Sequence, residues 1–305
     1  MPIRTYMWGG LGYTPESEIA TAIRWAATHG ADVLSNSWID NIPMPIIHSA
    51  FIDVTQLGGM GRDGRGCVVV ACSGNESSRV LDPAGFPEVI AIGGTDPDDI
   101  RWNYSNYGPE LDLVAPTGGW PEPTPMWTTD IVGPRGFDRD NFYDKSILDY
   151  TDAMSGTSGA CPVVAGVAAL ILSIEPELTS NEVRHFLERS AKDLGDPGRD
   201  DYYGWGRVDA RAALDMALAK RCDLNNDWKV DDHDLAILNA AINTNDLSAD
   251  IAPPAKRDGI VDELCAFGRP VKNQNFLRGV TGLGAGDIGF LEHLTVVPRH
   301  PAVGM

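Results

Sequence analysis

Basic charge is scarce in these 305 residues: 24 lysines and arginines stand against 43 aspartates and glutamates, a formal net charge of −19. A chain this acidic repels nucleic acid and anionic membrane surfaces, which removes both from the expected partners and leaves solubility or cation binding as the use of the charge. No uninterrupted apolar run reaches the ~18 residues of a membrane span, and no positively charged start leads into a short apolar core of the secretory kind. Cysteine is sparse and odd in number, and five do not describe a disulfide framework. Cys67 and Cys72 lie in CVVVAC, an apolar run read as a strand, where positions five apart face opposite ways and so should not pair. Length and a 43% hydrophobic content suit one large and one small domain.

The most informative segment is GTSGACP at 156–162, which runs straight into VVAGVAALILS. Gly156, Gly159 and Gly166 with Ala160, Ala165, Ala168 and Ala169 predict a tightly packed helix. The free N–H groups and dipole at its start favour negative charge beside Ser158. Two readings are open for an isolated GTS: a nucleophile beside an oxyanion site, or a hydroxyl of Thr157 or Ser158 that simply caps the helix. Further upstream, the apolar runs Val33-Leu34, Val68-Val69-Val70 and Val89-Ile90-Ala91-Ile92 are apolar throughout, as in a parallel sheet covered on both faces. Cys161, three residues past Ser158, reads as the filling of a small core site.

Taken in order, ADVLSNSWI at 31–39, VVVACSGNESS at 68–78, FPEVIAIGGTD at 86–96, SNYGPELDLVAPTGG at 105–119, GTSGACPVVAG and YGWGRVDARAAL at 203–214 resemble the subtilisin-like serine proteases over roughly residues 1–216. The resemblance implies Ser158 as the hydroxyl nucleophile and Asn75 as the side-chain donor of the oxyanion hole. It also implies a substrate strand at Ser37, Trp38 and Ile39, with Ser73 and Gly74 flanking the substrate opposite it. Those residue types suit acyl transfer, which needs a nucleophile and donors placed where charge develops. An Asn tolerating a left-handed turn after Gly74 is the plainer alternative for Asn75. SNSW and TTDIVG resemble the kexin-like branch, which cuts after basic residues. Asp40 is then either a contact for a basic side chain or a solvated strand end.

The same family places an Asp segment and a His segment before the Ser, and neither a DTG-like nor an HGTxVAG-like stretch occurs here. Upstream of Ser158 the histidines are His29 and His48 alone. His29 lies in ATHGAD, at the end of an amphipathic helix over GGLGYTPESEIATAIRWAATHG, where a cation suits the dipole and Gly30 a left-handed stop. His48 follows the substrate strand, so neither has the register of a catalytic base. In that helix Thr14 is the expected cap, Pro15 fits the first turn, and Ile19, Ile23 and Ala27 form one face. The preceding MPIRTYMW reads as a buried strand that the family places after its Asp and His segments, so Met1 is expected to be internal to a longer domain. Without a base Ser158 is a weak nucleophile, and the 305 residues alone are expected to hydrolyse almost nothing.

Beyond Leu214 the texture changes. In CDLNNDWKVDDHDLAILNAAIN, Asp223, Asn225, Asp227, the Lys229 carbonyl, Asp231 and Asp234 fall at positions 1, 3, 5, 7, 9 and 12 of an oxygen-rich calcium loop that runs into an amphipathic helix. An acidic surface turn without metal is the alternative. The pattern resembles a dockerin repeat, with one departure: Trp228 stands at the sixth position, where glycine makes the sharp turn. DIAPPAKRDGIVDEL at 250–264 is a degenerate second copy, with Cys265 in place of the twelfth ligand. Dockerins pair with cohesin modules, so a cohesin-like partner and an extracellular or cell-surface location are implied.

The expected architecture is α/β, a parallel sheet flanked by helices at 1–216, with a small all-α EF-hand-like or dockerin module at 221–266 and an unassigned tail at 267–305. The expected function is serine endopeptidase of the subtilisin type, acting on protein or peptide substrates, with calcium as the cofactor. The alternative is a pseudoprotease that works through a calcium-dependent interaction module. In-frame DNA upstream of Met1 should encode a DTG-like and an HGTxVAG-like segment. A stop codon immediately upstream with no such segments would favour the pseudoprotease.

Overall fold

The computed structural model describes residues 14–40, 42–119, 124–132 and 149–244. The chain divides into two compact units, Met1–Arg221 and Cys222–Met305. In the first, β1 (Val33–Asn36), β2 (Val68–Cys72), β3 (Ile90–Thr95) and β4 (Leu111–Pro116) form a parallel sheet in sequence order. Helices cover both faces, as the unbroken apolar runs require. On one face α1 (Glu16–Thr28) and α2 (Pro45–Thr55) bury Ile23, Ala27, Ile47, Phe51 and Val54 against Val69 and Ala71. On the other, α3 (Thr157–Ile174), α4 (Ser180–Ser190) and α5 (Ala210–Lys220) bury Val164, Ile171, Phe186, Leu187 and Ala213 against Val68, Val70 and Ile92.

One irregularity in the sheet has a visible cause. The register steps from Ala91↔Leu111 to Ile92↔Leu113, which leaves Asp112 as an extra residue in β4. Its buried carboxylate takes the Ala91 N–H at 2.7 Å and the Arg184 guanidinium at 2.5 Å, tying α4 to the sheet. Burial pushes the Asp112 carboxyl pKa up, while Arg184 opposes the rise. The α4 N-terminus carries a full capping box between Thr179 and Glu182, worth about 1 kcal/mol.

One expectation needs correction. Thr14 does not cap α1: the helix begins at Glu16 with Pro15 at the N-cap and no side-chain capping bond. Glu16 instead reaches across to α2, where its Oε1 accepts the Ile46 and Ile47 N–H groups and places negative charge at that helix start. Although its apolar run falls short of ~18 uninterrupted residues, α3 is long and apolar enough to cross a membrane by length and composition, with a mean hydropathy of 1.9. It is the central cover of the sheet, with 56% of the helix buried inside the fold. The run MPIRTYMW lies outside the described residues.

The second unit opens with a loop from Asp223 and continues into α6 (Asp232–Thr244). Cys222 is disulfide-bonded, a single bridge rather than a disulfide framework. Cys67, Cys72 and Cys161 are free and buried, as the opposite facing of the first two requires. Burial pushes the Cys67 thiol up to about 11 and the Cys72 thiol up to about 12, and it raises Cys161 as well. Native chain at pH 8 should therefore react negligibly with a thiol-specific disulfide reagent, whereas denatured, unreduced chain should expose the thiols of Cys67, Cys72 and Cys161 and no others. Five reactive thiols after denaturation would remove the disulfide at Cys222.

Candidate active site

Three strand ends converge on the first turn of α3. The chain leaving β1 brings Ser37, whose hydroxyl donates to the Ser158 carbonyl at 2.9 Å. The chain leaving β2 brings Asn75, whose Oδ1 accepts the Thr157 N–H at 2.9 Å. The chain leaving β4 brings Thr117, whose hydroxyl donates to the Gly156 carbonyl at 2.8 Å. The Ser37 bond has a local cause. Pro162 has no N–H with which to meet the carbonyl four residues back, so the Ser158 C=O lacks its intrahelical donor and is left for the Ser37 hydroxyl.

The two readings of GTS separate here. The N-cap is Gly156, in the left-handed region at φ 76°, so neither Thr157 nor Ser158 is the capping residue. Ser158 is half-buried and its hydroxyl has no capping duty. As a first-turn residue its N–H also lacks an intrahelical acceptor. Asn75 is exposed, with its Oδ1 held by both the Thr157 N–H and the Thr157 hydroxyl, at 2.9 and 3.0 Å. That grip turns the Nδ2 donor away from Thr157 and leaves it without a partner among the described residues. A β-carbon on Gly156 would sit 3.2 Å from the Asn75 amide, so the nucleophile turn and the Asn75 side chain are in contact. The arrangement offers a hydroxyl, a side-chain amide donor and a helix start side by side, which is the equipment for holding a developing oxyanion.

The remaining substrate residues divide. Ser37, Trp38 and Ile39 run past the end of β1, and among the described residues their backbone makes no hydrogen bond to a neighbouring backbone. That is an open edge for an extended peptide. The indole of Trp38 is fixed by Asn36 Oδ1 at 3.2 Å. Ser73 and Gly74 turn inward instead. Ser73 is fully buried, with its N–H on Ile92 O and its C=O taken by Leu81 N, so it has no backbone group left for a substrate. Asp40 pairs its N–H with Asp82 O and its carboxylate with Ile42 N, as a strand end does.

Among the described residues no base meets Ser158. His29 is the C-cap of α1, exposed, its Nδ1 at 2.8 Å from Trp25 O. His48 stacks on Phe86 and pairs with Glu88 at 3.0 Å, on the helices covering the face opposite α3. Burial pushes the Cys72 thiol up to about 12, with the Ser158 and Thr157 side chains acting against the rise. The excursion at 117–152, described in part, delivers Met126: its sulfur stands 3.5 Å from the Thr117 hydroxyl and would meet a β-carbon on Gly159 at 2.9 Å, beside the nucleophile. Thr157, Cys72 and Met126 are parts of the site that sequence reasoning passed over. Thr157 alone had a signal, its place between Gly156 and Ser158.

The segment Asp223–Asp234 closes into a compact loop. Asp223 and Asp234 are buried, Asp223 accepting the Asp227 and Trp228 N–H groups and Asp234 those of Leu224, Asn225 and Asp231. Trp228 takes the left-handed conformation that a glycine would, at φ 67°, which costs a non-glycine residue about 1–2 kcal/mol. The all-oxygen donor set and the closed wrap fit a hard cation. The carboxylates are nonetheless spent on backbone N–H groups, and Asp231 pairs with His233. Among the described residues no three His, Cys, Asp or Glu side chains gather at one point suited to a metal ion. The second loop, with Cys265, lies outside the described residues.

Comparison with known proteins agrees with this architecture. The model of the subtilase family matches residues 3–206, and the chain belongs to that family. A calcium-dependent protease of Trichormus variabilis is 35% identical, over 72% of this chain and 36% of its own length. The halolysin-like extracellular serine protease Nep of Natrialba magadii is 33% identical over 65% and 31%. Subtilisin BL of Lederbergia lenta is 31% identical over 65% and 61%. Among solved structures, a lanthipeptide protease superposes with a TM-score of 0.52 at 25% identity, covering 68% of each chain. The chain thus spans about a third of the length of the first two of these relatives.

Proposed function

We propose that this chain carries the nucleophile and oxyanion portion of a subtilisin-like serine endopeptidase. The observation that supports it most is the junction of Ser158, at the start of α3, with Asn75, whose donor end is left free by Thr157. A substrate strand lies along Ser37–Ile39. Ser158 Oγ bonds to the scissile carbonyl carbon, and the oxygen that becomes negative is held by Asn75 Nδ2 and the Ser158 N–H. The C–N bond then breaks to leave an acyl-enzyme, and water releases the acid. The hydroxyl proton needs a base to receive it and pass it to the leaving amine. The described residues place none at Ser158, so the 305 residues alone turn over almost no peptide. Protein or peptide substrates and an extracellular or cell-surface setting complete the reading.

A fluorophosphonate probe tests it, because the phosphonyl group bonds to a serine oxygen and its P=O enters the oxyanion site. Labelling should fall on Ser158 and vanish in Ser158→Ala. Labelling of another serine would sink the nucleophile assignment. No labelling of a folded chain that still binds calcium would favour the second reading, a pseudoprotease acting through its interaction module. In a longer chain that includes the Asp- and His-bearing segments, Asn75→Ala should lower kcat by about 10²–10³ with little change in KM.

For the module from Cys222 onward we infer a dockerin-like calcium loop that engages a cohesin-like partner. The ligands would be Asp223, Asn225, Asp227, the Lys229 carbonyl, Asp231 and Asp234, with the cation exchanging for the N–H bonds those carboxylates now accept. What supports this is the formed wrap, with Trp228 already in the glycine conformation. Titration calorimetry on the whole chain should give one calcium ion. The ion should raise Tm, and Asp227→Ala or Asp234→Ala should remove that gain. A stoichiometry of two would restore the second loop as a site, and no binding at millimolar calcium would mean that Trp228 has disabled the first.

A further inference from the structure

The segment from Ser73 to Ser78 has no helix or strand to hold it, yet Asn75 lies at its centre. What holds it is Asn106, fully buried, with every valence of its side chain used on that segment. Asn106 Oδ1 accepts the Glu76 N–H and the Ser78 N–H, each at 3.0 Å. Its Nδ2 donates to Ser73 O at 3.1 Å and to Glu76 Oε2 at 2.9 Å. Its backbone N–H donates to Gly74 O at 3.0 Å. A primary amide offers two donors and two acceptor sites, so no capacity is left over. Gly74 is required by the same contact: at φ 109°, a β-carbon there would stand 2.3 Å from Asn106 Nδ2.

Glu76 carries this grip to Asn75. The oxygen that accepts from Asn106 Nδ2 also accepts the Asn75 N–H at 2.8 Å. Asn75 is then fixed at both ends, its peptide by Glu76 on Asn106 and its side-chain carbonyl by Thr157, and Nδ2 is the donor left for the site. We propose that Asn106, acting through Glu76, is the positioning residue for the Asn75 amide. It touches no substrate and moves no proton, and it acts by removing the freedom of a donor whose placement within about 1 Å governs its value in a transition state. The inference rests on the reading of Asn75 as oxyanion donor.

The test uses the whole chain, labelled with nitrogen-15, and reads the heteronuclear NOE of the Asn75 side-chain amide together with hydrogen exchange at Glu76 and Ser78. Glu76→Ala removes an exposed side chain, and Asn106→Asp keeps the acceptor while replacing the donor with a second carboxylate facing Glu76. Both should lower the NOE and speed exchange at those two amides about tenfold or more, and Glu76→Ala should leave Tm and the β3 amides nearly unchanged. Glu76→Gln keeps an acceptor oxygen and should restore the native values. If Asn106→Asp does not fold, the two Glu76 variants decide. An Asn75 amide as ordered in Glu76→Ala as in the native chain overturns the proposal. So does a loosening shared equally by β3, which would mark a merely structural role. The Asn75 reading is tested apart from this by affinity for a peptidyl boronic acid. If Asn75→Ala leaves that affinity unchanged while the loop responds as described, the oxyanion assignment falls and the positioning by Asn106 stands.

Discussion

The burial of α3 across a four-stranded parallel sheet is the constraint on which the site depends. An 18-residue apolar helix has one place to go in a folded chain, and its small residues let it lie close on β1 to β4. Once it lies there, its first turn stands over the C-terminal ends of the strands. A parallel sheet sends every strand exit to the same edge, so the segments after β1, β2 and β4 meet Ser158, Thr157 and Gly156 without further contrivance. Pro162 sharpens this, since the carbonyl it leaves unpaired is the one that the Ser37 hydroxyl takes.

Electrostatics at that edge favour an anion and disfavour spontaneous nucleophilicity. The start of α3 presents unpaired N–H groups, and the Asn75 donor faces the same space. The Cys72 thiol at the end of β2, pushed up to about 12 by burial, stays neutral at ordinary pH. Elsewhere the fold uses its ion pairs for attachment: Asp112 with Arg184 anchors α4, and Arg62 joins Asp32 while its guanidinium reaches Leu178 O and Pro176 O.

The second unit follows a different logic, in which local spacing decides nearly everything. Side-chain oxygens alternate along Asp223 to Asp234, and each turns back onto a backbone N–H a few residues away, so the loop closes by short-range bonds. This is why Trp228 tolerates a left-handed backbone: the Asp223 carboxylate accepts its N–H at 2.9 Å and offsets part of the strain.

Much of this was legible in the residues alone. Unbroken apolar runs determined a sheet covered on both faces, the small-residue run after GTS determined a close-packed helix, and the five-residue spacing of Cys67 and Cys72 determined that they stay apart. The spacing of oxygens from Asp223 determined the loop, and the segment motifs singled out Ser158 and Asn75, which lie on neighbouring turns. Tertiary structure alone decided what those residues touch. The N-cap expected at Thr14 falls on Pro15, and Glu16 capped another helix, since a long carboxylate follows helix packing rather than sequence proximity. Ser73, two residues before Asn75 in sequence, faces the core, and Asn106, far from it, holds the loop, because a buried amide is filled by whichever backbone groups the fold brings within reach. Period and spacing act over a few residues and are written in the chain; which side chain completes a site depends on strand exits that meet only when the sheet and α3 have packed.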